Sequence, residues 1–162
     1  MSPTYNPDPS TVSAYFFLFE KGDYLFAVGE PKAFEGVNQK GDANAGIRYP
    51  ILCTDVLEGN AKGKGKKQMF TCYIHSDGAM AFSTMFMMAC LGYESSGDGE
   101  AKFNEEHQGA DYRVDPNPET SYLGEMWSSL NGTSLIIHAS VKLGDDNQKQ
   151  QKWNGFSPLS SI

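Results

Sequence analysis

Alternation of apolar and polar positions predicts five extended segments in this chain. In residues 23–34, Tyr24, Phe26 and Val28 occupy every second position, and a Gly–Glu–Pro sequence inside this segment favours a bend. Turn residues rich in glycine and asparagine follow at 36–46. The other predicted strands are residues 47–57, 66–75, 133–143 and 153–159.

A helix is predicted between the third and fourth of these strands. Phe82, Met85, Phe86 and Ala89 have the spacing of one helical face, and a Ser–Asp pair before the run and a glycine after it are typical of helix caps. The remaining positions of residues 79–91 are also largely apolar, so we expect this helix to be buried. A second, short helix is predicted at 120–130.

The order of these elements is that of an OB fold, a five-stranded barrel that often binds oligonucleotides. We therefore predict a mainly β protein with one OB-fold domain over residues 14–162 and a buried helix between strands three and four. A polar, proline-rich arm over residues 1–13 is expected to be flexible. The apolar segment 15–20 could add a strand or plug the barrel.

Charge is distributed unevenly along the chain. The net charge is −7, and residues 93–119 contain eight acidic and two basic side chains, so this segment carries six of the seven net negative charges. Because it contains few large apolar residues, we expect a mobile acidic insertion. Three roles remain open for it: solubility, competition with nucleic acid for nearby lysines, and docking of a basic partner.

The sequence contains no recognisable catalytic or metal-binding motif. The three histidines are far apart, and Cys53, Cys72 and Cys90 lack paired spacing, so we expect reduced, buried thiols and neither metal nor cofactor. We therefore predict that the protein is not an enzyme. No apolar run is long enough to span a bilayer, and no export signal precedes the domain, so a cytoplasmic location without membrane association is expected.

Cations and aromatic residues cluster where an OB fold contacts single strands, whose binding requires cations for phosphates and flat rings for bases. If Leu52, Thr54 and Val56 face the core, then Tyr49, Ile51 and Cys53 point outward. Trp153, between polar neighbours, is the favoured stacking residue. The predicted nucleic-acid-binding residues are Lys32, Phe34, Lys40, Arg48, Tyr49, Lys66, Lys67, Phe70, Tyr73, Lys149, Lys152 and Trp153.

Four stretches, "KGDYLFAV", "ILCTDVLEGNAKGKGKKQMF", "AFSTMFMMACLGY" and "LNGTSLIIHASVKLGDDNQKQQKWNGFSPL", together resemble a family of small phage-encoded OB-fold proteins. Genes of that family lie beside recombination and replication genes. The resemblance implies a sequence-non-specific single-stranded-DNA-binding protein in the host cytoplasm, with a phage recombinase or replication protein as a partner. Alternatives are a protein–protein adaptor that loads a recombinase and a phage protein that blocks host defence. An exposed strand could also pair two copies into a homodimer.

Overall fold

The computed structural model describes residues 17–38 and 40–162, so the predicted arm over residues 1–13 lies outside the described part. The described residues form a mainly β protein whose strands are antiparallel, six in one sheet and two in a small separate sheet. The strands are β1 Gly22–Val28, β2 Lys32–Val37, β3 Ala43–Glu58, β4 Lys67–Tyr73, β5 Val114–Asp115, β6 Tyr122–Leu123, β7 Ser134–Leu143 and β8 Lys149–Pro158. The helices are α1 Asp77–Cys90, α2 Gly97–Glu106 and α3 Glu125–Ser128, with 3₁₀ turns at Ala61–Gly63 and Leu159–Ser161.

The predicted first strand is in fact two strands, β1 and β2, which pair in succession with one edge of the long strand β3. The backbone bends between them at Gly29, whose N–H donates to the carbonyl oxygen of Pro50 at 2.8 Å. A Cβ atom at Gly29 would lie 2.7 Å from Cγ of Pro50, so a larger residue would clash there. The predicted bend is confirmed, and this close backbone approach explains why it contains a glycine.

The main sheet does not close into the predicted five-stranded barrel. Among the described residues, β4 pairs with β3 and β8 pairs with β7, but β4 and β8 do not pair with each other. Residues before β1 lie between them: the amide of Gln68 on β4 donates to the carbonyl of Phe17 at 3.2 Å, and that of Gln151 on β8 donates to the carbonyl of Phe19 at 2.8 Å. The buried ring of Phe19 and these side-chain hydrogen bonds occupy the place of a backbone ladder.

Helix α1 lies between the predicted third and fourth strands and is buried along much of its length, as predicted. Its N-cap is Ser76, whose hydroxyl accepts from the backbone N–H of Ala79 at 3.2 Å. Phe86 of this helix stacks on Phe70 of β4 with ring centroids 4.4 Å apart. None of the described helices has the length and apolar content needed to cross a membrane.

The predicted orientation of β3 is wrong by one position. Tyr49, Ile51 and Cys53 were expected to point outward, but all three are buried, whereas Leu52 is 37% exposed. Pairing with β4 determines this orientation, because Tyr49 lies opposite the buried Phe70. A shift of one residue in a strand exchanges its two faces, so every outward assignment on β3 changes with it.

The acidic segment, residues 93–119, is more ordered than the sequence predicts. It contains α2, and Phe103 of that helix is buried against the core. The backbone carbonyl of Tyr112 accepts a 2.7 Å hydrogen bond from the indole N–H of Trp127, which is itself buried. Two aromatic anchors therefore compensate for the polar composition of the segment. The predicted helix at 120–130 is reduced to the single turn α3.

Candidate nucleic-acid interface

The outward-facing side chains of β2, β3 and β4 form one continuous surface, here called the outer face. Hydrogen-bond register places its residues in successive rows across the three strands. Since β-strand side chains alternate, the rows two residues apart lie on the same side of the sheet. The members of the outer face are Lys32, Phe34, Gly46, Arg48, Pro50, Leu52, Lys67, Met69, Thr71 and Tyr73.

Two aromatic rings lie at one end of the outer face. Phe34 on β2 and Tyr73 on β4 both lie opposite Gly46 on the strand between them, and their ring centroids are 6.2 Å apart in an edge-on arrangement. A Cβ atom at Gly46 would lie 3.0 Å from the Phe34 ring and 2.6 Å from the Cys72 carbonyl oxygen. Glycine at this position therefore lets the rings approach each other across β3. Tyr73 is 41% exposed, so part of its ring is accessible to a ligand.

Two cations lie in the next row of the outer face. The guanidinium carbon of Arg48 is 4.0 Å from the centroid of the Phe34 ring, which is a close cation–π contact. Lys32 lies directly opposite Arg48 in the β2–β3 pairing. Neither forms a salt bridge with any residue that the structure describes, so both positive charges are available to an anion.

Apolar groups and a third cation continue the outer face toward β1. Met69 is 44% exposed opposite Pro50, and Lys67 lies opposite Leu52. Five predicted site residues are therefore brought together on this surface. They are Lys32, Phe34, Arg48, Lys67 and Tyr73.

The remaining predicted lysines lie elsewhere. Lys40 is exposed in the β2–β3 turn, where the side-chain oxygen of Asn38 accepts its backbone N–H at 2.9 Å. The ammonium of Lys66 lies 5.7 Å from the centroid of the Phe17 ring. Lys149 and Lys152 are exposed on β8, which belongs to the opposite end of the sheet order.

Two predicted stacking residues, Tyr49 and Phe70, are core residues instead. Tyr49 is fully buried, and its hydroxyl donates to the carbonyl of Trp127 at 2.7 Å. Burial raises the pKa of this phenol. Phe70 is also buried, between β4 and α1. Buried rings cannot stack on bases, so both assignments are wrong.

Trp153 is half-buried and packs on the core side of β8. Its ring lies 6.0 Å, centroid to centroid, from both Phe26 and Phe70. A bulge interrupts β8 at this point: Ala139 pairs with Trp153 while His138 pairs with Gly155, so Asn154 is an additional residue in β8. The bulge lets Trp153 and the buried Phe156, three residues apart, face the same side of the sheet.

Asp23, His138 and Ser157 form a hydrogen-bonded group across β1, β7 and β8. Nδ1 of His138 is 2.6 Å from a carboxylate oxygen of Asp23, and Nε2 is 2.8 Å from the hydroxyl of Ser157. This is the order of groups in a Ser–His–Asp triad, but a triad also requires donors placed for an oxyanion. All three side chains lie on paired strands, and their hydrogen bonds link β1, β7 and β8.

The three cysteines are free and buried, as predicted. Burial raises the pKa of Cys53 to about 11 and that of Cys90 to about 12, and it also raises the pKa of Cys72. Within residues 17–38 and 40–162, no group of three or more His, Cys, Asp and Glu side chains could hold a metal ion.

Comparison with known protein families and with curated proteins finds no match to this chain. The outer face therefore has to be interpreted from its own chemistry. Sequence reasoning missed Leu52 and Met69 as exposed members of it. Arg48 and Pro50 were the available signal, because an arginine and a proline at alternate positions of a strand indicate its solvent side.

Proposed function

We propose that this protein binds single-stranded DNA, without base specificity, through the outer face. The observation that carries the proposal is the surface aromatic pair of the partly exposed Phe34 and the exposed Tyr73, with Arg48 over the Phe34 ring and Lys32 beside it. Stacking on rings and neutralisation of phosphates are the two requirements for sequence-tolerant single-strand binding. Because the proposed binding is not base-specific, it does not require hydrogen-bonding groups that read the edges of the bases.

The order of strands supports an OB-type arrangement as part of this proposal. The outer face lies on β3 and β4, which are the second and third strands of the predicted barrel, and an OB fold uses those strands for oligonucleotides. The resemblance to phage-encoded single-strand-binding proteins points to the same ligand. A role beside a phage recombinase or replication protein is the corresponding cellular function.

The test is fluorescence anisotropy with labelled dT8, dT15 and a duplex of equal length at two salt concentrations. We expect binding to the single strands, with log affinity falling against log salt by about 0.7 per phosphate contact. Tyr122 provides a matched control, because this exposed tyrosine has Arg113 5.1 Å from its ring but belongs to the small β5–β6 sheet. Equal affinity for duplex, or no binding at low salt, would refute the proposal.

A protein–protein adaptor is the second candidate, and a groove beside α1 and α2 favours it. Met80 and Tyr112 contribute accessible apolar surface to this groove over the buried rings of Phe103 and Trp127, and Glu105 contributes an acidic group. A partner with a basic, partly apolar segment would complement these groups. Charge reversal at Glu105 should weaken such a complex and leave binding to dT15 unchanged.

A further inference from the structure

A second feature of the outer face lies beyond the aromatic pair, where β1, β3 and β4 meet. Ala27, Gly29, Pro50, Leu52 and Lys67 line a shallow groove there. The close contact between Gly29 and Pro50 shapes it, because glycine adds no side chain and the proline ring supplies an apolar floor. The groove therefore depends on the same backbone bend that separates β1 from β2.

The groove and the aromatic pair belong to one surface. Gly46 marks the aromatic end and Leu52 the groove end of β3, six residues apart, which corresponds to about 20 Å of extended strand. Arg48 lies between them on the same side of β3. A site of this length matches the lower end of the range for one OB fold, about four nucleotides.

The chemistry of the groove suits a nucleic-acid base. Its floor is apolar and offers contact to the flat face of a base, which every base has. Lys67 lies at its edge, and none of the described residues that line it is acidic. Together with Arg48 and Lys32, this gives the outer face a positive character along its length, which complements a phosphate backbone.

We propose that the groove of Gly29, Pro50, Leu52 and Lys67 is a second base subsite, which the strand reaches after passing Arg48. This inference rests on the proposed function and adds a minimum ligand length to it. Trinucleotides occupy only the aromatic end, whereas strands of about four nucleotides or more reach both ends. The affinity gained between these lengths comes from the groove.

The experiment compares dT3, dT6 and dT8 by competition against labelled dT15 at low salt. Leu52→Ser removes apolar surface from the groove without changing charge, and Met69→Ser tests the adjoining row. Leu57→Ser is the matched control, because Leu57 is an exposed leucine on the same strand outside the groove. Thermal melting of each variant shows whether the fold is retained.

We expect Leu52→Ser to weaken dT6 and dT8 about fivefold to tenfold, no more than the lower part of the range for one base–aromatic stack because leucine has no ring, and to leave dT3 unchanged. Amide NMR shifts around Leu52 should move with dT6 and stay in place with dT3. Unchanged affinity for dT8, equal weakening of all three oligonucleotides, or the same effect from Leu57→Ser would overturn the subsite. The first of these is also the result expected if the groove binds an apolar protein segment. Absence of binding to every oligonucleotide would instead refute the proposed function itself.

Discussion

Removal of the aromatic pair is the most direct perturbation of the outer face. Phe34→Ala removes one stacking ring, and with it the cation–π contact of Arg48, whose guanidinium carbon lies 4.0 Å from the centroid of that ring. Tyr73→Ala removes the other ring, which is 41% exposed and contributes little to the core. One base–aromatic stack contributes about 1–3 kcal/mol. Each single variant should therefore weaken binding to dT8 by a factor of about 5 to 150.

The double variant shows whether the two rings act on one ligand. If each ring stacks a separate base, the two losses add in free energy. If both rings clamp the same base, the loss in the double variant is smaller than the sum of the single losses. Tyr73→Phe keeps the ring and should keep the affinity, which separates stacking from hydrogen bonding by the hydroxyl.

Anisotropy titrations at 50 mM salt measure these losses, with Tyr122→Ala as the control for removal of an exposed tyrosine. Because Phe34 is partly buried, circular dichroism must show that Phe34→Ala remains folded at the assay temperature. Unchanged affinity in the folded double variant would refute the reasoning, since no other exposed aromatic pair lies on the described outer face.

Three further predictions concern the core and the strand contacts. Trp153→Ala should lower the free energy of unfolding by about 2–4 kcal/mol in urea denaturation while the folded fraction keeps its affinity for dT15, because the ring packs on the core. Alkaline pH should destabilise the protein, because burial raises the pKa of the Cys53 thiol from 9.0 to about 11 and that of the Cys90 thiol to about 12. Unfolding therefore releases protons above pH 9, and the stability measured by thermal melting falls as the pH rises through this window. His138→Leu should lower stability by about 1–2 kcal/mol through loss of two hydrogen bonds, and a fluorophosphonate probe analysed by mass spectrometry should leave Ser157 unmodified.

Local sequence patterns predicted the elements better than they predicted the faces of the strands. The spacing of Phe82 and Phe86 and the cap at Ser76 were sufficient to place α1, because helix periodicity and capping are local properties. Orientation of β3 depended on which alternate set faces the core, and the register of β3 against β4 and the packing of Tyr49 against Phe86 are long-range contacts. The set containing Ile47 and Tyr49 is apolar as far as Cys53, so the arginine in the other set was the decisive signal.

Features that depend on distant partners could not be predicted from the sequence. Closure of the barrel depends on whether β8 meets β4, and Phe19 occupies that position instead. The inward ring of Trp153 depends on a bulge in register against β7. Among the candidate site residues, those predicted from charge lie on the surface, whereas aromatic residues divide between core and surface according to register alone.

Segregation of charge explains how a chain with a net charge of −7 can present a face for phosphates. Most of the excess acid belongs to residues 93–119, and part of it is already paired there, as in Asp111 with Arg113 at 3.0 Å. The arginine and the Tyr122 hydroxyl hold the pKa of Asp111 well below its usual range, so this carboxylate keeps its charge at any pH of interest.

The effect of the unpaired acids on DNA binding should therefore depend on salt. Beyond a Debye length, about 10 Å at 0.1 M and about 30 Å at 0.01 M, their field is largely screened. Neutralising the exposed acids Glu94, Asp98, Glu100 and Glu105 to the corresponding amides keeps Phe103 and the core contacts, unlike deletion of the segment. We expect tighter binding to dT15 at 10 mM salt and equal affinity at 200 mM. A gain of the same size at both concentrations would mean that these acids contact the DNA path directly, and no gain at either would exclude competition with DNA as a role of the segment.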